Sequence, residues 1–442
     1  MAPAAERRNQ SSVGFWMATA LVAGNMIGSG IFLLPAALAP FRADNLPGWL
    51  LTSIGAITLA AVFAQLSRSI PGAGGPYAYT REAFGDLAGF SVAWGYWVSI
   101  WVGNAAITTG AVGYIGEFMP WMVATPLNTA LSSLFFLWVF TFVNCAGIRA
   151  AGWTQAVTTL LKLTPIVAAA ALFLTRVPSW GQVAAAPQHF TLGGTAAVAT
   201  LALWAMLGFE SATVPADKVR DARRTVPRAT MFGTVLTALL SAAACGAVLL
   251  LVPAGRLAAS TAPFADLAAD VWALGAARAV SVFAAISALG ALNGWILLQG
   301  ELPRAMARDG LFVPAFARTS KRGTPIVALV ATSVLVTILV ALNIRRSLVG
   351  VFTFFVLLAT TASLVAYLAS ALALLRLSAA GRAGTSRTAR IAFGTLGVLG
   401  AIYSLAALAG AGREAVIWGV VLLAAGLPVY MVLRRRRAVA DR

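Results

Sequence analysis

The chain has 442 residues, of which 60% are hydrophobic and only 10% charged, against about 25% charged in an ordinary soluble domain, and this excludes a water-soluble fold. The formal net charge of +18 would suggest a nucleic-acid partner in a soluble protein. In a chain this apolar the charge belongs to loops on the two sides of a bilayer, so nucleic acid is not expected as a partner. Cys145 and Cys245 both lie inside apolar runs, and the single histidine, His189, has no companion at ligand spacing. No disulfide framework, metal site or cofactor is therefore expected.

Residues 1–12 form a short, polar, basic tail. The apolar run after it is too long for a signal-peptide core and lacks a convincing cleavage site, so the first span should stay in the mature protein. Interruptions by charge, proline and glycine then delimit apolar segments near 13–39, 47–67, 86–118, 125–147, 153–176, 195–216, 229–252, 276–302, 324–343, 348–373, 391–411 and 414–433. Each is long enough to cross about 30 Å of hydrocarbon as a helix. Helix is the expected state because lipid leaves every backbone polar group to be satisfied within its own segment. The expectation is an all-α integral membrane protein with twelve transmembrane helices.

Two spans are interrupted at mid-depth. The first contains Gly24-Asn25-Met26-Ile27-Gly28-Ser29-Gly30, and each glycine there costs helix stability, about 1 kcal/mol against alanine. Small residues of this kind also serve close helix packing. The sharper reading is a discontinuous helix whose freed amides, beside the positive end of a half-helix, hold a substrate carboxylate. The sixth span repeats the pattern in Trp204-Ala205-Met206-Leu207-Gly208-Phe209-Glu210, with a carboxylate beside the glycine. Glu210 could only knit helices together, but an ionisable residue inside a membrane is by default a functional one. Interrupted helices at the first position of two sets of five point to an inverted-repeat transporter. Its parts would be a first repeat at 13–176, a second at 195–373, two additional helices at 391–433, and a basic tail at 434–442.

The segments Gly24 to Pro35, Pro71 to Tyr79, Trp204 to Glu210 and Asp309-Gly310-Leu311-Phe312 resemble the amino acid, polyamine and organocation transporter superfamily along nearly the whole chain. Tyr96-Trp97 through Gly103-Asn104, with Asn293-Gly294-Trp295, resemble in particular the bacterial arginine:agmatine antiporters and their basic amino acid and polyamine exchanger relatives. The resemblance implies a LeuT-like fold, with a 5+5 inverted repeat and broken helices 1 and 6. It implies that Asn25, Ile27, Gly28, Ser29 and Gly30 meet the substrate carboxylate and amino group. Trp204 and Leu207 would surround the amino group and aliphatic stem, Trp204 also closing the cavity. Trp295 would pack on the guanidinium or amine, Asn104 would hydrogen-bond its far end, and Glu210 would sense pH.

An aromatic face attracts a cation by about 0.5–2 kcal/mol, and a neutral amide accepts a hydrogen bond without trapping the cation in an ion pair. Two positions depart from the pattern. Lys162, about ten residues into the fifth span, stands where the antiporters are expected to carry a small residue; it resembles a lysine that takes the place of a sodium ion in other members and could also carry a proton. In span 10, Val356-Leu357 replaces an expected serine pair. For the tryptophans Trp94, Trp97 and Trp101, packing or interface anchoring is as good a reading as a binding role.

The leading expectation is a sodium-independent amino acid carrier that works by alternating access, an antiporter exchanging an arginine-like amino acid for its agmatine-like decarboxylated amine. The alternative is a proton-coupled uptake or export carrier of broader selectivity. Neither catalytic clusters nor a repeated channel filter occur, so an enzyme or a channel is not expected. The expected partners are the substrate, the lipid bilayer and, as the resemblance implies, a second copy of the chain. With both termini on one side of a bacterial inner membrane, 24 of the 32 Lys and Arg residues fall on that side and 7 on the other, which makes the basic side cytoplasmic. A cysteine placed at Arg223 should then react with an impermeant thiol reagent only after cells are opened; labelling in intact cells would invert the topology.

Overall fold

The computed structural model describes residues 14–28, 30–71, 74–146, 163–175, 190–213, 216, 219–272, 274–320, 323–384 and 386–440. Ser29, Lys162 and His189, the tail 1–12 and the first part of the fifth predicted span lie outside the described residues. Every regular element described is helical. In chain order the helices are α1 (Phe15–Met26), α2 (Gly30–Leu38), α3 (Asn45–Ser69), α4 (Pro76–Phe84), α5 (Asp86–Gly116), α6 (Pro126–Ala146) and α7 (Leu163–Thr175). There follow α8 (Leu192–Leu203), α9 (Ala222–Leu251), α10 (Pro263–Val271), α11 (Leu274–Arg308), α12 (Ile326–Leu342), α13 (Leu348–Ala379), α14 (Arg387–Gly410), α15 (Arg413–Ala424) and α16 (Gly426–Ala440).

Among the described residues nine helical stretches are long and apolar enough to span a membrane; the first, Phe15–Ser69, takes in α1 to α3, and α7 and α12 are shorter apolar helices. Large apolar side chains stand exposed on the outer helices, for example Ile54 at 66%, Phe142 at 62% and Leu239 at 68%. Such a surface suits lipid and not water. Polar starts and apolar bodies explain where the helices begin. Thr125, Thr191, Ser347 and Ser386 each accept a hydrogen bond from a backbone N–H three residues on, at 2.9–3.2 Å, and Pro76 and Pro263 occupy first helical turns where no N–H is required.

At the centre runs α5, almost wholly buried, packed along α11 on one side and α13 on another. Helix α9 closes on α1 and α3, and α14 on α13. The segments α15 and α16, with little of their surface covered, lie outermost.

The structure departs from the sequence expectations in two places. Residues 68–85 and 253–275, read as loops, contain α4 and α10. Both are nine-residue helices opened by proline, too short and too polar on one face to register as spans. The sixth interval leaves α-helix after Leu203, at the interruption read from the sequence. And α9 starts at Ala222 instead of residue 229, so that Arg223, Arg224 and Arg228 ride on its first turns with Pro227 inside the helix.

The two missed helices have definite work in positioning the interior. On the basic face, α4 is tied to the end of α11 by the Tyr77 hydroxyl, which donates to Asp309 Oδ2 at 2.9 Å, and to the start of α5 by Arg81 Nε donating to Asp86 Oδ1 at 2.7 Å. Partial burial and the neighbouring Asp309 carboxylate push the Tyr77 hydroxyl well above its ordinary pKa. On the opposite face, α10 caps α2. Tyr114 of α5 donates its hydroxyl to the Phe32 carbonyl at 2.8 Å and accepts from the Phe264 amide at 3.2 Å, while the Phe32 and Phe264 rings meet edge to face at 5.4 Å. Tyr114→Phe would leave the buried Phe264 amide without this partner and remove the added bond to the Phe32 carbonyl, so it should cost about 1–3 kcal/mol, read as a lowered thermal-unfolding midpoint of the detergent-purified protein.

Candidate functional site: a cavity between two broken helices

The break in the first span follows from one residue's backbone. Ile27 (φ −79°, ψ 78°) leaves the helix as an inverse γ-turn, with Gly28 N–H donating to Met26 C=O at 2.9 Å. Helix resumes at Gly30. In the sixth span α8 tightens to a 3₁₀ turn at Trp204–Met206, Leu207 becomes extended (ψ 138°), and Gly208 adopts φ +113° before a second 3₁₀ turn at Phe209–Ala212. That left-handed backbone needs glycine. The two breaks touch: a Cβ on Gly208 would lie 3.0 Å from the Asn25 carbonyl carbon and 3.1 Å from the Met26 nitrogen. Asn25 Nδ2 also donates to Ser211 Oγ at 2.8 Å.

Against these breaks lies a cavity. The first break contributes Asn25, Met26, Gly28 and Gly30; the sixth contributes Trp204, Leu207 and Glu210; α11 contributes Trp295 and α13 contributes Ser363. From α5 come Tyr96, Ser99, Ile100, Gly103 and Ile107, all on one face at helical spacing. Trp204 is wedged between Gly30 and Gly103. A Cβ on Gly30 would lie 2.1 Å from its Nε1 and one on Gly103 would lie 3.0 Å from its Cη2, so the indole fits only because both neighbours lack a side chain. Its N–H has no acceptor among the described residues.

Glu210 is completely buried. Its Oε1 accepts from the Tyr96 hydroxyl at 2.9 Å; its Oε2 accepts from the Tyr367 hydroxyl at 3.0 Å and from the Gly208 amide at 3.2 Å. Three donors on α5, α13 and the break itself thus replace the water that a carboxylate would otherwise need. No cationic side chain lines the cavity among the described residues. The remaining wall is aromatic, aliphatic, amide and hydroxyl: a place suited to a ligand that carries its own positive charge on an apolar stem.

Of the residues singled out in the sequence, Asn25, Gly28, Gly30, Trp204, Leu207, Glu210 and Trp295 all meet at this cavity. Ile27 makes the turn but buries its side chain in the core. Asn104 sits behind the wall, fully buried, with Nδ2 donating to Gln299 Oε1 at 2.8 Å. Ser29 and Lys162 lie outside the described residues. Val356 is buried in the core and Leu357 packs against it; the hydroxyl that α13 presents is Ser363, 2.5 Å from Ser99 Oγ. Sequence reading passed over Ser99, Ile100, Ile107, Ser363 and Tyr367. The α5 residues could have been found from their common face, but Ser363 and Tyr367 are joined to the site only by the fold. Trp94 and Trp97 spend their N–H groups on the Leu422 and Gln299 carbonyls, at 2.8 and 3.1 Å, as packing residues do.

The two breaks differ in how much change they tolerate. Gly208→Ala should cost about 1–3 kcal/mol through its backbone strain and abolish substrate counterflow. A Cβ at Gly28 would meet the Ala291 Cβ at 3.6 Å and the Asn25 carbonyl oxygen at 3.8 Å, both ordinary contacts, so Gly28→Ala should leave the unfolding midpoint unchanged. Equal midpoints for the two variants would refute the assignment of strain to Gly208.

Residues 13–433 match the amino acid permease family. The chain is 36% identical over 341 residues to the cadaverine/lysine antiporter of Escherichia coli K12, covering 75% of this chain and 74% of that protein. It is 30% identical over 371 residues to the putrescine transporter PotE of Haemophilus influenzae (82% and 84% covered), and 29% identical over 373 residues to the E. coli K12 PotE (82% and 83%). These relatives are transporters and not enzymes, in keeping with a cavity deep among apolar helices and with a multi-pass protein of the bacterial inner membrane. The chain belongs to the amino acid permease family, among the amino acid and polyamine antiporters of the amino acid, polyamine and organocation transporter superfamily.

Proposed function

We propose that the protein is a sodium-independent antiporter that exchanges a basic amino acid for its decarboxylated amine, an arginine-like substrate for an agmatine-like one, by alternating access. The observation that carries this reading is the meeting of two helix breaks at a cavity whose only charged wall residue among those described is an acid, Glu210. The half-helix α2 opens at Gly30 with its free N–H groups toward the break, a setting for a substrate carboxylate. The Trp295 indole and the apolar stretch of Leu207 and Ile100 supply a stem-and-cation subsite. Under this reading Asn25, Ile27, Gly28, Ser29 and Gly30 form the carboxylate and amino-group end, and Trp204 is the closing residue. The twelve helices form a 5+5 inverted repeat plus two, with both termini in the cytoplasm. Lys162, as an ammonium in the place of a sodium ion, accounts for sodium independence.

A proton-coupled uptake or export carrier of broader selectivity is the second reading. It is favoured by the same buried carboxylate, whose hydrogen bonds from Tyr96 and Tyr367 join the cavity to α13. Counterflow into proteoliposomes separates the two: exchange loaded by the counter-substrate alone supports the antiporter, and uptake that requires an imposed pH gradient supports the second reading.

Trp295→Leu should weaken binding of arginine or agmatine by about 0.5–2 kcal/mol while leaving a small neutral amino acid nearly unaffected, measured by calorimetry on both ligand classes. Equal losses would make the tryptophan a shape element only. A native protein that binds no basic ligand would overturn the proposed substrate.

A further inference from the structure

Helix α9 reaches well beyond the start of α1, and the part that extends is basic. Phe15 and Trp16, which open α1, each meet the Phe232 ring of α9 with ring centroids 6.2 Å apart. Phe232 comes ten residues after Ala222, where α9 begins, so about 15 Å of helix continues past this aromatic contact. Arg224 and Arg228 lie on that extension, two turns and one turn before Phe232, and all three are exposed on one stripe of the helix. The stripe continues past the contact in exposed Val235 and Leu239. The other side of the same turns is buried, with Val226 and Ala229 in the core.

Several arginines of the basic face are answered within the chain: Arg81 by Asp86, Arg304 by Glu301, Arg382 by Glu82 and Arg376 by the Phe84 ring. Arg228 forms no ion pair among the described residues. Arg224 reaches only the Asp221 carboxylate, at 4.0 Å, with its own side chain 79% exposed. An ion pair that long and that exposed contributes little.

Along the stripe the chemistry changes in a fixed order, from the aliphatic Leu239 and Val235 through the aromatic Phe232 and Trp16 to the cationic Arg228 and Arg224. A phospholipid has the same order of acyl chain, ester and phosphate. Trp16, 73% exposed, is the residue type that settles at the ester level, because its ring is apolar and its N–H is not. A guanidinium grips phosphate through two parallel hydrogen bonds. Two guanidiniums a helical turn apart favour a headgroup whose phosphate charge is not already answered by an ammonium of its own.

We propose that the outer face of α9, together with the first turn of α1, is a binding site for an anionic phospholipid, its phosphate on Arg224 and Arg228 and its ester region against Trp16 and Phe232. The site is separate from the cavity and independent of the substrate carried there.

The test titrates phosphatidylglycerol or phosphatidylcholine into detergent micelles of the full chain and reads bound lipid by native mass spectrometry. An arginine at a charged lipid surface is worth about fivefold in affinity, so the double variant Arg224→Gln, Arg228→Gln should weaken phosphatidylglycerol binding about thirtyfold and leave phosphatidylcholine unchanged. Trp16→Leu should weaken it as well. All three side chains are exposed, so both variants should keep the native unfolding midpoint in lipid-free detergent. Arg387→Gln with Arg390→Gln, at two exposed positions opening α14, removes the same charge and should change phosphatidylglycerol binding less than about threefold. Equal losses for the two arginine pairs would mean diffuse attraction to a basic face and overturn the site, as would a native protein with no preference between the two lipids. Inorganic phosphate that raises the unfolding midpoint as much as phosphatidylglycerol does would make this a simple anion site and overturn the lipid assignment.

Discussion

Hydrocarbon offers no partner to a backbone amide, so every helix interrupted inside a membrane must find other partners for the groups it releases. In this protein the demand arises twice and is met at each break. The break at Ile27 is closed by its own γ-turn and the break at Gly208 by the Glu210 carboxylate, which receives the Gly208 N–H. The two lie in backbone contact, with Asn25 bridging to Ser211. The cavity exists because these unwound segments and the small residues in them leave room between α5 and α11.

The same constraint explains why Glu210 is surrounded by hydroxyls. A carboxylate without donors at this depth would be expelled or neutralised. Tyr96 and Tyr367 reach it from two different scaffold helices, and in doing so they couple its surroundings to the relative position of α5, α13 and the break. Asn104, Gln299, Ser333 and Thr141 form a second hydrogen-bonded network, which ties α5, α11, α12 and α6.

Much of the candidate site was legible because membrane burial makes exceptions conspicuous. Glycine clusters, an asparagine and a glutamate stand out in runs of leucine, valine and alanine, and the breaks they marked at 24–30 and 204–210 are where helix is lost. Trp295 and Trp204 needed the family likeness as well, since thirteen tryptophans share the membrane's ordinary uses for an indole. Tyr367 and Gln299 gave no such signal, since a lone tyrosine or glutamine inside an apolar helix is common. What gives them meaning is a partner more than a hundred residues away.

Composition and periodicity were enough to establish a membrane protein, the rough limits of most of its apolar segments and the two places where helix would fail, because lipid thickness and backbone hydrogen bonding impose these locally. The short polar helices α4 and α10 escaped, lacking the length that makes a span. The turning of Asn104 toward Gln299, the choice of Ser363 in place of the Val356-Leu357 pair, and the convergence of Tyr96 and Tyr367 on Glu210 were decided by tertiary packing alone. Each depends on the rotation of one buried helix against another, and that rotation is set by how whole faces interlock, which no single segment of sequence contains.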